Sequence, residues 1–187
     1  MPCLTPEQYL EIERAAEFRS EYMYGEMFAM SGGTLNHARI VWNLASRLAD
    51  QLRGRPCEAA AKDLRVYIAP EDAYLYPDIV VACGPIRFQD KRRDAIVDAT
   101  AIIEVLSPST RNFDRGEKFG FYRSLASFAD YLLLAQDTIR AEHHARQPDG
   151  SWLFREFTDP GDVIELKSID CRLGLESLYE RVVFDAE

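Results

Sequence analysis

No two cysteines in the sequence form a CxxC pair, and the four present, Cys3, Cys57, Cys83 and Cys171, do not space with the three histidines, His37, His143 and His144, as zinc ligands do. That absence excludes a structural zinc site of the finger or ribbon kind. It predicts four free thiols in a reducing cytoplasm. Positive charge is also scarce: Lys plus Arg total 22 against 31 Asp plus Glu, a formal net charge of −9 and a pI near 4.9. Proteins that coat nucleic acid by neutralising phosphates are basic, so bulk DNA packaging is excluded and any nucleic-acid contact has to be local. No run reaches the ~18 uncharged apolar residues of a membrane span, and Met1-Pro2-Cys3-Leu4-Thr5-Pro6 lacks a basic region leading into an apolar one. Neither a membrane nor export is expected. Repeats, low-complexity tracts and interdomain linkers are missing as well.

What remains is a chain of 187 residues, 47% hydrophobic and 28% charged, an ordinary globular composition that predicts one domain over residues 1–187. Thr5-Pro6-Glu7-Gln8 has the hydroxyl cap, the proline and the reciprocal side chain of a helix start, predicting a helix to about Phe18. Tyr22 to Met30, broken at Tyr24-Gly25-Glu26, reads as a hairpin. Thr34 caps a second helix through Arg53, with Val41, Leu44 and Leu48 at helical spacing and Gly54 as the stop. Ala59–Ile68 and Tyr76–Cys83 read as strands joined by a hairpin loop at Ala69-Pro70-Glu71-Asp72. A polar connection from Gly84 to Asp98 carries Arg87, Lys91, Arg92 and Arg93, the densest positive stretch in the chain and a candidate set of phosphate contacts. Ala101–Leu106 and Tyr131–Ala135 are buried-strand runs. Between them Asp114 and Glu117 open a third helix to about Leu125. Strands over Arg140–Arg146, Trp152–Thr158 and Val163–Leu166, then a short helix near Glu176–Arg181, complete the reading.

Three residues are costly where they stand. Glu104 interrupts Ile102-Ile103-Glu104-Val105-Leu106, and burying a carboxylate there requires a compensating cation, unless the residue sits at an exposed strand end or meets an arginine. Asp78 stands at the mouth of the apolar run Ile79-Val80-Val81; Pro-Asp is also a common turn dipeptide. Two acids at buried strands, converging, are the hard oxygen donors that Mg²⁺ takes while keeping waters for chemistry, and Mn²⁺ accepts the same set. Lys118 shares the stripe Lys118, Phe121, Tyr122, Leu125, which turns its ammonium toward the sheet, where it orients a water or holds a phosphate oxygen; a stem packed on the core with the ammonium in water is the plainer alternative. His37, on the stripe with Val41, Leu44 and Leu48, is read first as a satisfied structural histidine. Glu21 and Glu26 flank the hairpin turn and rank below the trio as candidate metal-site acids. Ser107, Ser109 and Thr110 follow Glu104 and are candidate phosphate donors.

The segments Tyr76-Pro77-Asp78, Ile103-Glu104-Val105-Leu106-Ser107-Pro108-Ser109-Thr110 and Asp114-Arg115-Gly116-Glu117-Lys118-Phe119, followed by Tyr131-Leu132-Leu133, resemble the Uma-type restriction-endonuclease-like family of bacterial proteins. Ser20-Glu21-Tyr22-Met23-Tyr24-Gly25-Glu26, Met30 and His37 extend the likeness to roughly residues 5–136. The resemblance implies the PD-(D/E)xK nuclease superfamily: an α/β (α+β) restriction-endonuclease-like fold, a mixed β-sheet core flanked by helices, here with an N-terminal helix and hairpin and extra C-terminal strands. It implies Mg²⁺-dependent hydrolysis of DNA, with Asp78, Glu104 and the carbonyl of Val105 as metal ligands and a homodimer as one way of reaching both strands. The superfamily's lysine two residues after the acid is missing; Leu106 holds that place, and Lys118 is the candidate to supply the role. Two other functions stay open: a non-catalytic binding or scaffold protein on the same fold, and a metal-dependent hydrolase of a small phosphorylated molecule.

Overall fold

Thr5 begins the first helix, α1 (Pro6–Ala15), by the reciprocal bonds its sequence predicts: its hydroxyl accepts from the Gln8 backbone N–H, and the Gln8 side chain accepts from the Thr5 N–H. These details belong to a computed structural model that describes residues 3–30 and 32–184. The helix ends at Ala15, short of Phe18, because Ala16 is already extended and Phe18 is exposed. The hairpin follows as β1 (Ser20–Met23) and β2 (Glu26–Ala29), turning through Tyr24 and Gly25, both at positive φ. Gly25 is required there twice over, since a Cβ would also lie 2.6 Å from the Cys3 Cβ. Thr34 caps α2 (Leu35–Leu52), and Ile40, Val41, Leu44, Leu48 and Leu52 form its buried stripe.

The stretch expected as one strand over Ala59–Ile68 is two. Lys62 and Asp63 both adopt left-handed backbone, which breaks the pleat and sends β3 (Cys57–Ala61) and β4 (Arg65–Ile68) into different sheets. The loop at Ala69–Asp72 does make a hairpin, but it returns β4 onto β5 (Ala73–Leu75); β6 (Ile79–Cys83) pairs with β3 instead. β7 (Ala95–Ile96) and β8 (Ala99–Leu106) follow. The expected third helix is a compound one: α3 (Arg111–Phe113), a π-helical turn (Asp114–Lys118) and α4 (Phe119–Arg123). Next come β9 (Asp130–Ala135), β10 (Ala141–Arg146), β11 (Trp152–Phe157) and β12 (Val163–Leu166). An unforeseen strand, β13 (Cys171–Gly174), pairs with β12 and leads into α5 (Leu175–Leu178), slightly ahead of the predicted helix.

The central six-stranded sheet has the order β11-β10-β9-β8-β6-β3, with β8 and β9 parallel and the other neighbours antiparallel. Strand alternation divides its side chains between two cores. Ile79, Val81, Ile103, Val105, Leu132 and Leu134 pack against the α2 stripe and the β12–β13–α5 unit. Val80, Ile102, Leu106, Tyr131 and Leu133 pack against Phe121, Tyr122 and Leu125 and against Val66, Ile68 and Leu75 of a five-stranded sheet, order β2-β1-β5-β4-β7. A fully buried Leu such as Leu44 contributes about 1.5–3 kcal/mol, and the two facing cores multiply that across β8. The fold class is the mixed α+β architecture expected from the sequence.

The expectation of four free thiols does not hold. Cys57 and Cys83 form a disulfide, while Cys3 and Cys171 are free. The register explains it: Cys57 faces Cys83 across β3 and β6, and the Gly84 N–H bonds the Pro56 carbonyl beside them, leaving 57/83 as the non-hydrogen-bonded pair whose side chains lie closest. Among the described residues no helix is long and apolar enough to cross a membrane.

Candidate active site

Register brings the two strand acids together. Ile79 of β6 faces Ile103 of β8, so Asp78, one residue ahead of β6, comes beside Glu104. The two lock each other's position: the Asp78 N–H donates to Glu104 Oε2 at 3.1 Å, and the Val105 N–H donates to Asp78 Oδ2 at 2.8 Å. Glu104 is 4% exposed and so is neither at an open strand end nor paired with an arginine.

Its partner is Lys118. The π-helical turn points this lysine into the fold, 5% exposed, with Nζ 2.9 Å from Glu104 Oε1, 3.0 Å from Glu21 Oε1, 3.7 Å from Asp114 Oδ1 and 3.3 Å from the Tyr76 carbonyl. The ammonium does not reach water along its stem. A π-helical turn is rare and recurs at functional sites, and here it carries both Asp114 and Lys118 inward. Tyr122, four residues further on, donates its hydroxyl to Glu104 Oε1 at 3.3 Å.

On the other side His37 Nε2 lies 3.1 Å from Asp78 Oδ2 and Lys62 Nζ 3.6 Å from Asp78 Oδ1. The backbone of Gly33 sits against the His37 ring; a Cβ there would lie 3.1 Å from Nδ1. Nδ1 itself is buried and has no hydrogen-bond partner among the described residues. A histidine that donates Nε2–H to a carboxylate fixes that carboxylate's orientation, which is more than the structural role read from the sequence.

Charge follows from burial and neighbours. Burial raises the Asp78 carboxyl, but the hydrogen bond and charge of His37, the Val105 N–H and Lys62 outweigh it and hold the group below its usual value. Burial pushes Glu104 well above the usual carboxylate range against the pull of Lys118, and it pushes Asp114 up as well. Burial works against the Lys118 charge, yet Glu104, Glu21 and Asp114 together hold it firmly protonated. Four carboxyl groups thus surround two lysines.

Glu21, His37, Lys62, Asp78, Glu104, Val105, Ser107, Ser109, Thr110, Asp114 and Lys118 all line one cavity of about 540 Å³. Ser107 Oγ bonds Ser109 Oγ at 3.0 Å and Thr110 Oγ1 at 2.9 Å, so the loop after β8 presents its hydroxyls as a unit. Glu26 is exposed on β2 and does not line this cavity. Arg87, Lys91, Arg92 and Arg93 do not line it either. They flank β7, at the edge of the five-stranded sheet opposite β2, where Arg87 pairs with Asp98 at 3.2 Å and Arg93 stacks over Phe88.

The family model Uma2, described as "Putative restriction endonuclease", matches residues 6–176. The chain belongs to the Uma2 family. Two relatives from Synechocystis sp. are similar along nearly their whole length: "Uncharacterized protein sll1609" is 36% identical over 162 residues, covering 87% of this chain and 92% of the relative, and "Uncharacterized protein slr1290" is 33% identical over 184 residues, covering 98% and 95%. A crystal structure of "a putative nuclease belonging to DUF820" from Anabaena variabilis superposes with a TM-score of 0.77 at 18% identity, covering 96% of this chain and 99% of that one. At that identity the likeness speaks for the fold.

The donor set of this Uma2 chain suits one kind of metal. Among the described residues no group of three or more His, Cys, Asp and Glu side chains is arranged to hold an ion by itself, which disfavours a closed zinc or calcium cage. Mg²⁺ is commonly held by one or two carboxylates, with waters and substrate oxygens filling the rest. Asp78 and Glu104 are the carboxyl pair that could hold such an ion, with the Val105 backbone bonded to Asp78 beside them. Sequence reasoning did not single out Lys62 or the inward-facing Asp114 as site residues. Lys62 gave no signal, since its approach depends on the left-handed kink after β3; Asp114, four residues before Lys118, was visible as a helix start alone.

Proposed function

We propose that the protein is a metal-dependent endonuclease that hydrolyses DNA phosphodiester bonds in this cavity. The observation that carries the reading is Lys118: a buried ammonium 2.9 Å from Glu104, delivered by the helix after β8 in the place where the superfamily's strand lysine is replaced by Leu106. Leu106 is itself buried in the core, so no cation comes from that strand position.

Asp78 and Glu104 are the residues that would hold Mg²⁺ or Mn²⁺, with the Val105 carbonyl as a further oxygen donor. A bound divalent cation lowers the pKa of its water and neutralises charge on a phosphate. The rest falls to the chain's own groups. Lys118, held protonated by its three carboxylate neighbours, donates a hydrogen bond to the attacking water or to a phosphate oxygen as charge develops there. Glu21 and Asp114 anchor that ammonium, and Tyr122 orients Glu104. His37 and the Val105 N–H fix the Asp78 carboxylate. Lys62, half-exposed at the rim, meets the phosphate on its way in, and the hydroxyls of Ser107, Ser109 and Thr110 hold its non-bridging oxygens.

Supercoiled plasmid and single-stranded DNA, incubated with Mg²⁺ or Mn²⁺, test this directly when the parent is compared with folded Asp78→Ala, Glu104→Ala and Lys118→Ala. Cleavage that needs the metal and is lost in all three supports the reading. A parent protein that cleaves neither DNA with either metal overturns it and favours a binding or scaffold role. Release of phosphate from small phosphorylated molecules, with DNA untouched, would favour the small-molecule hydrolase.

A further inference from the structure

Beside its charged and hydroxyl groups the cavity is lined by a set of large apolar side chains: Met23, Tyr24 and Phe28 from the β1–β2 hairpin, Met30 just after it, and Phe113 from α3. Three of these are open to solvent in a chain whose other large apolar groups mostly pack inward. Tyr24 is 64% exposed, Phe28 43% and Met30 42%. Tyr24 also occupies the first turn position at φ 56°, where glycine, asparagine or aspartate avoid the crowding an aromatic suffers. Its ring rests on Phe121, centroids 5.4 Å apart, and is therefore held at the rim instead of swinging free.

We propose that this apolar wall is a stacking subsite for one unpaired nucleobase, so that the strand cleaved is single-stranded or presents an extruded nucleotide at the scissile position. The inference rests on the nuclease reading above and names its substrate class. A nucleotide has the two chemistries the cavity has, an anionic phosphate for the carboxylate-and-lysine end and a flat π-face for the Tyr24–Phe28 wall. At about 540 Å³ the cavity lies within the ~300–1,000 Å³ of small-ligand sites, whereas a duplex is read by a helix or ribbon entering a groove ~12 Å wide. The net charge of −9 points the same way: with little phosphate neutralisation to draw on, affinity has to come from a contact that is not electrostatic, and base–aromatic stacking is one that tolerates any sequence.

The test is binding, separated from cleavage. A short oligonucleotide carrying one 2-aminopurine, whose emission changes when it stacks, is titrated with the full chain in Ca²⁺, as a single strand and as the matched duplex. The single strand binds at least tenfold tighter. Tyr24→Ala and Phe28→Ala weaken it by about 5- to 150-fold, the equivalent of ~1–3 kcal/mol of stacking per base. Tyr24→Trp restores the affinity, and Phe154→Ala, an exposed aromatic on β11 outside the cavity, leaves it unchanged. A duplex that binds as well as the strand overturns the proposal, as do alanine variants that bind like the parent or a tryptophan variant as weak as the alanine one. The two readings fail separately: cleavage of duplex and strand at equal rates, unchanged in the alanine variants, removes the subsite and leaves the nuclease. Strand-selective binding without metal-dependent cleavage removes the nuclease and leaves the subsite.

Discussion

Replacing Lys118 with methionine keeps the stem and deletes the cation that meets Glu104, Glu21 and Asp114 at 2.9, 3.0 and 3.7 Å. At an effective dielectric of ~20 each contact is worth on the order of 5 kcal/mol before desolvation, and desolvation cancels most of that. Removing one partner from a buried charge group costs about 3–5 kcal/mol, because the carboxylates left behind stay buried and uncompensated. The loss also depends on pH. Burial already lifts Glu104 above its unfolded value near 4.5, and without Lys118 it rises further. A carboxyl raised on folding favours the native state in its protonated form, so the variant's deficit is small below pH ~4.5 and widens as pH climbs toward the raised value. Urea unfolding of parent and Lys118→Met at pH ~5 and ~8 measures both quantities. A loss below ~1 kcal/mol, or one that does not grow with pH, would refute the claim that Lys118 is the counter-charge of this site.

His37 acts through Asp78, so His37→Ala is expected to weaken Mn²⁺ binding by about 10- to 100-fold with little change in fold, read by calorimetric titration of the metal. Reducing the Cys57–Cys83 disulfide, which closes a separation of 26 residues, lowers stability by ~3.5 kcal/mol on the loop-entropy model; parallel melts with and without reductant check it. Asp130 accepts from His143 Nε2 at 2.6 Å and from the Ser168 N–H at 3.0 Å. Burial raises its carboxyl, but these bonds outweigh burial and hold it below its usual value. Its contribution is therefore complete above pH ~4 and fades as pH falls further. Asp130→Ala leaves the buried His143 ring nitrogen and the Ser168 N–H without their acceptor, should cost about 1–3 kcal/mol at neutral pH and flatten that acid limb in urea melts.

The elements that carry their own signals were legible in the sequence. Thr5 and Thr34 announce two helices by chemistry that acts within one turn, and the apolar runs around Glu104 and in Tyr131–Ala135 can satisfy burial in no other way than as central strands. The trio Asp78, Glu104 and Lys118 was legible because each is costly in its local context. What escaped depends on partners far along the chain. The break at Lys62-Asp63 is set by two sheets competing for one segment, and the Cys57–Cys83 bond by a register no local pattern encodes. The basic stretch at Arg87–Arg93 stands out by charge density alone, while the fold gives Arg87, Arg92 and Arg93 the near neighbours Asp98, Asp90 and Phe88 and carries the stretch to the edge of the second sheet, outside the cavity. The contact between His37 and Asp78 was hidden because the two lie 41 positions apart in the chain.

Crystals soaked in Mn²⁺ and measured at the manganese absorption edge test the shared metal site most directly. An anomalous peak within coordination distance of both the Asp78 and Glu104 carboxylates, absent from Glu104→Gln crystals, is the result the account predicts. No peak at these carboxylates, or one of equal height in the variant, would contradict it.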